Sequence, residues 1–126
     1  MQLRSVHHIA LKCWDVEALA GFYQLVFGLA SERRFEDEYG LRSIWLRLGD
    51  LRLMLERSEV GGVTNREFTD DPVGLHLLAF AITPEEREGW RESLKEAGCV
   101  VVDETAHTLY IQDPEGNRIG LSCYPL

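Results

Sequence analysis

Two histidines, His8 and His76, stand at matching places in this chain of 126 residues. Each opens a short apolar run, His8-Ile9-Ala10-Leu11 in one half and His76-Leu77-Leu78-Ala79-Phe80 in the other. An imidazole so placed can ligate a metal through a neutral ring nitrogen, or can serve as a hydrogen-bonded group lining a site. A second set of candidates follows from period-two alternation along strands. Trp45, Arg47, Arg52 and Met54 share one face of a hairpin. In the second half Phe80 shares a face with His76, Ser122 and Tyr124 share a face with Gly120, and Tyr110 faces the same way from a neighbouring strand. Aromatic walls with a few polar anchors are the usual make-up of a small-ligand site. Trp45, Tyr110 and Tyr124 would equally suit a dimer interface, where aromatic residues are enriched. His7 alternates with His8 and is expected to point the opposite way, as a structural or dimer-facing group; His107 reads as a surface group. No nucleophilic set is present by motif: there is no glycine-flanked serine elbow, no Cys–His pair and no phosphate-cradling glycine loop.

The elements that must position these residues come in two similar series. The first begins with a strand at 6–12. Asp15 can cap a helix in which Val16, Leu19, Tyr23 and Val26 fall on one face, and Gly28 sits where a left-handed cap belongs. Strands at 30–36 and 41–48 follow, then the tight turn Gly49-Asp50 and a return strand at 51–57. In that hairpin Ile44, Leu46, Leu48, Leu51, Leu53 and Leu55 make one wholly aliphatic face, expected to lie under the helix. Residues 58–74, rich in Gly, Asp, Asn and Thr, read as a long linker. The second series starts with a strand at 75–82. Thr83-Pro84-Glu85-Glu86 is a capping box with proline at the first helical position, and Trp90, Leu94 and Ala97 form the inner face of a helix ended by Gly98. Strands at 100–103, 107–112 and 118–124 complete it, with Asp113-Pro114-Glu115-Gly116-Asn117 as the turn before the last. His8 lies 20 residues before Gly28, and His76 lies 22 before Gly98. An internal repeat of this kind is a strong fold signal. It predicts an α+β fold of two βαβββ modules forming an incomplete barrel around a cleft: one domain over 1–126, with module one at about 5–57 and module two at about 75–126.

Bulk properties narrow the function. The net charge of −8 argues against nucleic acid, whose phosphates it would repel, and by itself favours a cationic ligand. No apolar run suggests a membrane span, and the N-terminus lacks the features of a signal peptide, so the expected location is cytoplasmic. Cys13, Cys99 and Cys123 are odd in number and widely spaced, which reads as buried or partly buried free thiols.

The order βαβββ–βαβββ, the two histidine-led strands, Phe22-Tyr23 followed by Phe27-Gly28-Leu29, and Asp113-Pro114-Glu115-Gly116-Asn117-Arg118-Ile119 together resemble the vicinal oxygen chelate superfamily. That superfamily includes glyoxalase I, bleomycin-resistance proteins, fosfomycin-resistance proteins and extradiol dioxygenases. The resemblance covers essentially the whole chain. It implies a metal ligand on the opening and the last strand of each half, which carries over to His8 and His76. Where the metal enzymes place a glutamate on the last strand, this chain has Gly120. The corresponding position in the first half falls on Met54, a thioether unsuited to the divalent ions concerned. A hairpin shifted by two residues would instead bring in Glu56, giving a set of His8, Glu56 and His76 for Ni, Zn, Mn or Fe.

Two functions follow. One is a small-molecule-binding protein resembling the bleomycin-resistance branch, without the full metal set. The alternative is a divalent-metal-dependent lyase or dioxygenase acting on vicinal oxygens. A vestigial regulatory dimer is a third. The long linker allows the halves to pair within one chain or to exchange across a homodimer.

Overall fold

The computed structural model describes residues 1–62, 67–68 and 73–126. The chain forms two compact units, Met1–Gly62 and Val63–Leu126. In the first, β1 (Ile9–Cys13), α1 (Val16–Phe27), β2 (Ala30–Asp37), β3 (Gly40–Leu48) and β4 (Leu51–Arg57) follow in sequence. The sheet order is β1-β4-β3-β2, with β1 parallel to β4 and the other pairs antiparallel. The second unit repeats the plan with β5 (Leu78–Ala81), a single 3-10 turn at Pro84–Glu86, α2 (Arg87–Glu96), β6 (Asp103–Glu104), β7 (Thr108–Gln112) and β8 (Arg118–Ser122). Its order is β5-β8-β7-β6, again with the outer pair β5–β8 parallel. The α+β class and the two βαβββ modules are as the repeat predicts, and each sheet stays open rather than closing into a barrel.

The middle of the aliphatic hairpin face lies under the helix, whereas Leu51 beside the turn is half-buried and Leu48 is exposed. Val16, Leu19, Ala20, Tyr23 and Val26 are the buried residues of α1, which packs on β3 and β4. Ile44, Leu46, Leu53 and Leu55 are buried beneath it, the last three with no exposed surface. Each such side chain contributes about 1.5–3 kcal/mol relative to an exposed one. The ends of α1 are fixed by the expected caps. The Asp15 carboxylate accepts from the Ala18 amide at 2.9 Å. Gly28 adopts φ 71°, and the Leu29 amide donates back to the Tyr23 carbonyl at 3.3 Å. In the second unit Ile119 and Leu121 of β8 and Leu109 and Ile111 of β7 are buried, as is Leu94 of α2. The Thr83–Glu86 capping box forms in both directions, and Asp113 accepts from the amides of Glu115 and Asn117 to close the turn before β8.

The structure corrects several boundaries. β1 starts at Ile9 and β5 at Leu78, so His8 and His76 precede their strands rather than lying on them. The ladders explain this, since β1–β4 pairing begins at Ile9↔Leu53 and β5–β8 pairing at Leu78↔Ile119. The strand expected at 100–103 is reduced to the two residues Asp103–Glu104. The linker expected at 58–74 falls in part, at 63–66 and 69–72, outside the described residues. All three cysteines are free thiols, with Cys13 buried and Cys99 and Cys123 half-buried.

Two glycines, one within α1 and one at its end, provide a test of this local account. A Cβ on either Gly21 or Gly28 meets nothing within 4 Å, so sterics are the same and backbone conformation decides. Gly28→Ala is expected to lower stability by about 1 kcal/mol, because alanine resists the left-handed region. Gly21→Ala is expected to raise it by roughly 0.5–1 kcal/mol, because the glycine is mid-helix. Urea midpoints of the two variants should therefore move in opposite directions.

Candidate functional site

The core dictates which residues are displayed. With Leu53 and Leu55 under α1, Arg52, Met54 and Glu56 must point to the opposite face of the first sheet. Cross-strand register adds the rest of that face: Met54 pairs with Ala10 and Trp45, Arg52 with Arg47, and Trp45 with Arg33. Trp45 and Met54 are half-buried, and the His8 ring lies 5.0 Å from the Trp45 ring, centroid to centroid. The structure thus brings His8, Trp45, Arg47, Arg52 and Met54 to one surface. Arg52 is held by both oxygens of Glu32, at 3.1 and 3.3 Å.

Glu56 shares this face but belongs to its other end. Its register partner on β1 is Lys12, whose ammonium lies 2.9 Å from one carboxylate oxygen, and Arg42 reaches the other at 3.4 Å. Lys12 lies three residues along β1 from Ile9, about 10 Å at ~3.3 Å per residue, and His8 precedes Ile9. The shifted hairpin that would bring Glu56 to His8 is therefore not the one that forms, and Met54 is the residue in register beside Trp45. The hydrogen bond from Lys12, with the charges of Lys12 and Arg42, holds the Glu56 carboxyl below the usual carboxylate range against the opposing effect of burial. His7 is also corrected. Its Nδ1 lies 2.8 Å from that of His8, because strand alternation does not operate before β1 begins.

In the second unit Arg118, Gly120 and Ser122 face away from the buried Ile119 and Leu121. Tyr110 pairs with Gly120, and Thr108 with Ser122, whose hydroxyls are 2.9 Å apart. Phe80 pairs with the buried Leu121 and is itself buried, which places it with the core and not with Gly120 and Ser122. Counting alternation from His76 fails because His76 is outside the strand. Tyr124 lies beyond β8, exposed, with its ring edge-on to His107 at 5.3 Å.

The residue that sequence reasoning missed is Arg118. Its Nη1 lies 2.8 Å from His76 Nδ1, and its Nη2 donates to the carbonyls of Phe68 at 2.8 Å and Glu67 at 3.3 Å. The guanidinium also sits over the Phe68 ring, 5.6 Å from its centroid, and that ring lies 5.8 Å from Tyr110. A guanidinium has donors and no acceptor, so in this contact His76 Nδ1 accepts, which leaves Nε2 as the ring nitrogen that carries a proton. The signal was available: Arg118 has the same strand parity as Gly120.

These residues do not fit the metal set that the resemblance implies. Gly120 offers no ligand, and a Cβ there would sit 3.2 Å from Thr108 Cγ2 and 3.5 Å from both Ala79 Cβ and Leu77 Cδ1. Glu56 is engaged by two cations. His76 gives its Nδ1 lone pair to a guanidinium and carries its proton on the other nitrogen. Among the described residues no group of three or more His, Cys, Asp or Glu side chains is arranged to hold a metal ion.

Comparison with known proteins agrees with the architecture. The sequence profile described as Glyoxalase/Bleomycin resistance protein/Dioxygenase superfamily matches residues 5–121. No curated protein matches the chain. Among solved structures, a mutant of a fosfomycin resistance protein, FosX, from Listeria monocytogenes, complexed with Mn(II) and 1S,2S-dihydroxypropylphosphonic acid, is similar with a TM-score of 0.80 and 19% identity. That match covers 99% of this chain and 96% of the other. Lactoylglutathione lyase from Agrobacterium tumefaciens gives a TM-score of 0.72 at 20% identity, over 97% of this chain and 95% of that one. An integron cassette protein from V. cholerae gives 0.68 at 21%, over 99% and 98%. No helix among the described residues is long and apolar enough to cross a membrane.

The structural role of Glu56 is open to a pH test. Its folded-state pKa is lowered, so its contribution to stability is present above the unfolded carboxylate pKa and is lost as pH falls through the folded value. Glu56→Gln is expected to cost on the order of 1 kcal/mol at neutral pH, and the difference from the parent should vanish in acid. Denaturation curves of the two proteins at neutral and acidic pH, with and without chelator, check this; chelator is expected to change neither.

Proposed function

This chain belongs to the Glyoxalase/Bleomycin resistance protein/Dioxygenase superfamily, and on that premise we propose that it is a small-molecule-binding protein whose site operates without the metal set of its metal-using relatives. The observation that carries this reading is the hydrogen bond between Arg118 and His76 Nδ1, at 2.8 Å. It puts a permanent positive charge against the imidazole that would have to ligate a cation, and it orients that imidazole as a hydrogen-bond donor through Nε2. The glycine at 120, tight against Thr108, supports the same reading because the missing carboxylate has no side-chain substitute there.

The binding chemistry is non-covalent. On the first sheet Trp45 and Met54 offer a flat, polarizable surface, and Arg47 offers a charged donor beside the Glu32-bound Arg52. On the second, Tyr110 and Ser122 offer neutral hydrogen-bonding groups around Gly120. A few anchors on apolar walls suffice to orient a small ligand.

Metal analysis of protein purified without chelator, combined with thermal unfolding in Mn²⁺, Ni²⁺, Zn²⁺ and Fe²⁺, tests the proposal. Far less than one equivalent of metal and no rise in Tm are expected. A panel of small organic molecules should contain some that raise Tm in the parent but not in Trp45→Ala; a ligand at a hundred times its Kd contributes about 2.7 kcal/mol. Stoichiometric metal that disappears in His76→Ala would overturn the reading and favour the lyase or dioxygenase alternative.

A further inference from the structure

We infer that the ligand of the first-sheet face is an organic anion, a carboxylate or similar oxyanion carried on a flat apolar body. This rests on the binding reading above and adds the chemical class of the ligand. Arg47 and Arg52 lie directly opposite each other across β3 and β4. Like charges in that position destabilise a sheet. Glu32 neutralises Arg52 with a two-point contact, whereas the Arg47 side chain makes no hydrogen bond or ion pair among the described residues. Arg33, in register with Trp45, is likewise without a partner among them.

Two acids of this face, Glu32 and Glu56, are paired with other cations. Glu32 answers Arg52, and Glu56 answers Lys12 and Arg42 at the far end. Two guanidiniums, Arg33 and Arg47, are therefore left unanswered among the described residues on either side of Trp45, in a chain whose net charge is −8. Most other arginines are matched: Arg34 by Glu17, Arg57 by Asp37, and Arg87 and Arg91 by Glu104. Net charge favours a cationic ligand, but charges more than about 10 Å away are largely screened at 0.1 M salt, so the local surplus decides. A guanidinium presents paired N–H donors that match a carboxylate. Between the two lies the half-buried Trp45 ring, with Met54 beside it in register and the His8 ring 5.0 Å away. That surface suits the flat apolar body, and the arginines suit its charge.

Calorimetric titration of the parent protein with 2-naphthoate and with 2-naphthylmethylammonium, which share a body and differ in charge, tests this. The anion is expected to bind at least tenfold tighter than the cation at low salt. Arg33→Gln and Arg47→Gln should each weaken it about tenfold, as loss of a hydrogen bond between charged groups does, without weakening the cation. Both residues are unpartnered among the described residues, so folding should be retained, and circular dichroism checks that. If the cation binds as well or better and Trp45→Ala abolishes it, the site stands and the anion assignment is overturned. Unchanged anion affinity in both arginine variants also overturns it. If neither probe binds, this inference and the binding reading fall together.

Discussion

The parallel pairing of the first strand of each unit with its last, β1 with β4 and β5 with β8, is the constraint from which the candidate site follows. Such pairing requires a crossover, and here a helix lies in each. In the first unit that helix covers one face of the sheet. Once Leu53 and Leu55 are committed to α1, Arg52, Met54 and Glu56 have no choice of side. The same holds in the second unit: burial of Ile119 and Leu121 forces Arg118, Gly120 and Ser122 to the other face. A slip of one residue in either ladder would bury charge and expose leucine, so the displayed set is specified as firmly as the core.

Much of this was legible in the sequence because it depends on short-range rules. Alternation along 41–57 identified both faces of the hairpin, Asp15 and Gly28 marked the ends of α1, and the Asp113 turn was evident from its residue types. What was not legible depends on partners distant in sequence. Where β1 and β5 begin is set by where β4 and β8 can pair with them, which leaves His8 and His76 outside the strands and shifts the parity of His7 and Phe80. Glu56 looked available to a metal because its partners, Lys12 and Arg42, lie 44 and 14 residues away. Arg118 was overlooked as the first residue of a strand, although its spacing from Gly120 placed it on the candidate face.

Both units replace what a cation site would need with something that disfavours one. In the second, a guanidinium accompanies His76 and a glycine stands where a carboxylate would be needed. In the first, the free charges near Trp45 are positive. The strongly acidic composition obscures this, because most of the acids are spread over other surfaces or paired with their own arginines. Local pairing, which needs coordinates, reverses the inference drawn from net charge.

On the proposed reading, His76 is a hydrogen-bond donor oriented by Arg118 and not a metal ligand. Long-range ¹H–¹⁵N correlation spectra of its ring nitrogens, recorded with the imidazole neutral and repeated with Zn²⁺, test this most directly. A proton on Nε2, an unprotonated Nδ1, and no change on adding the metal are expected. A proton on Nδ1, with Nε2 shifting as Zn²⁺ binds, would contradict it.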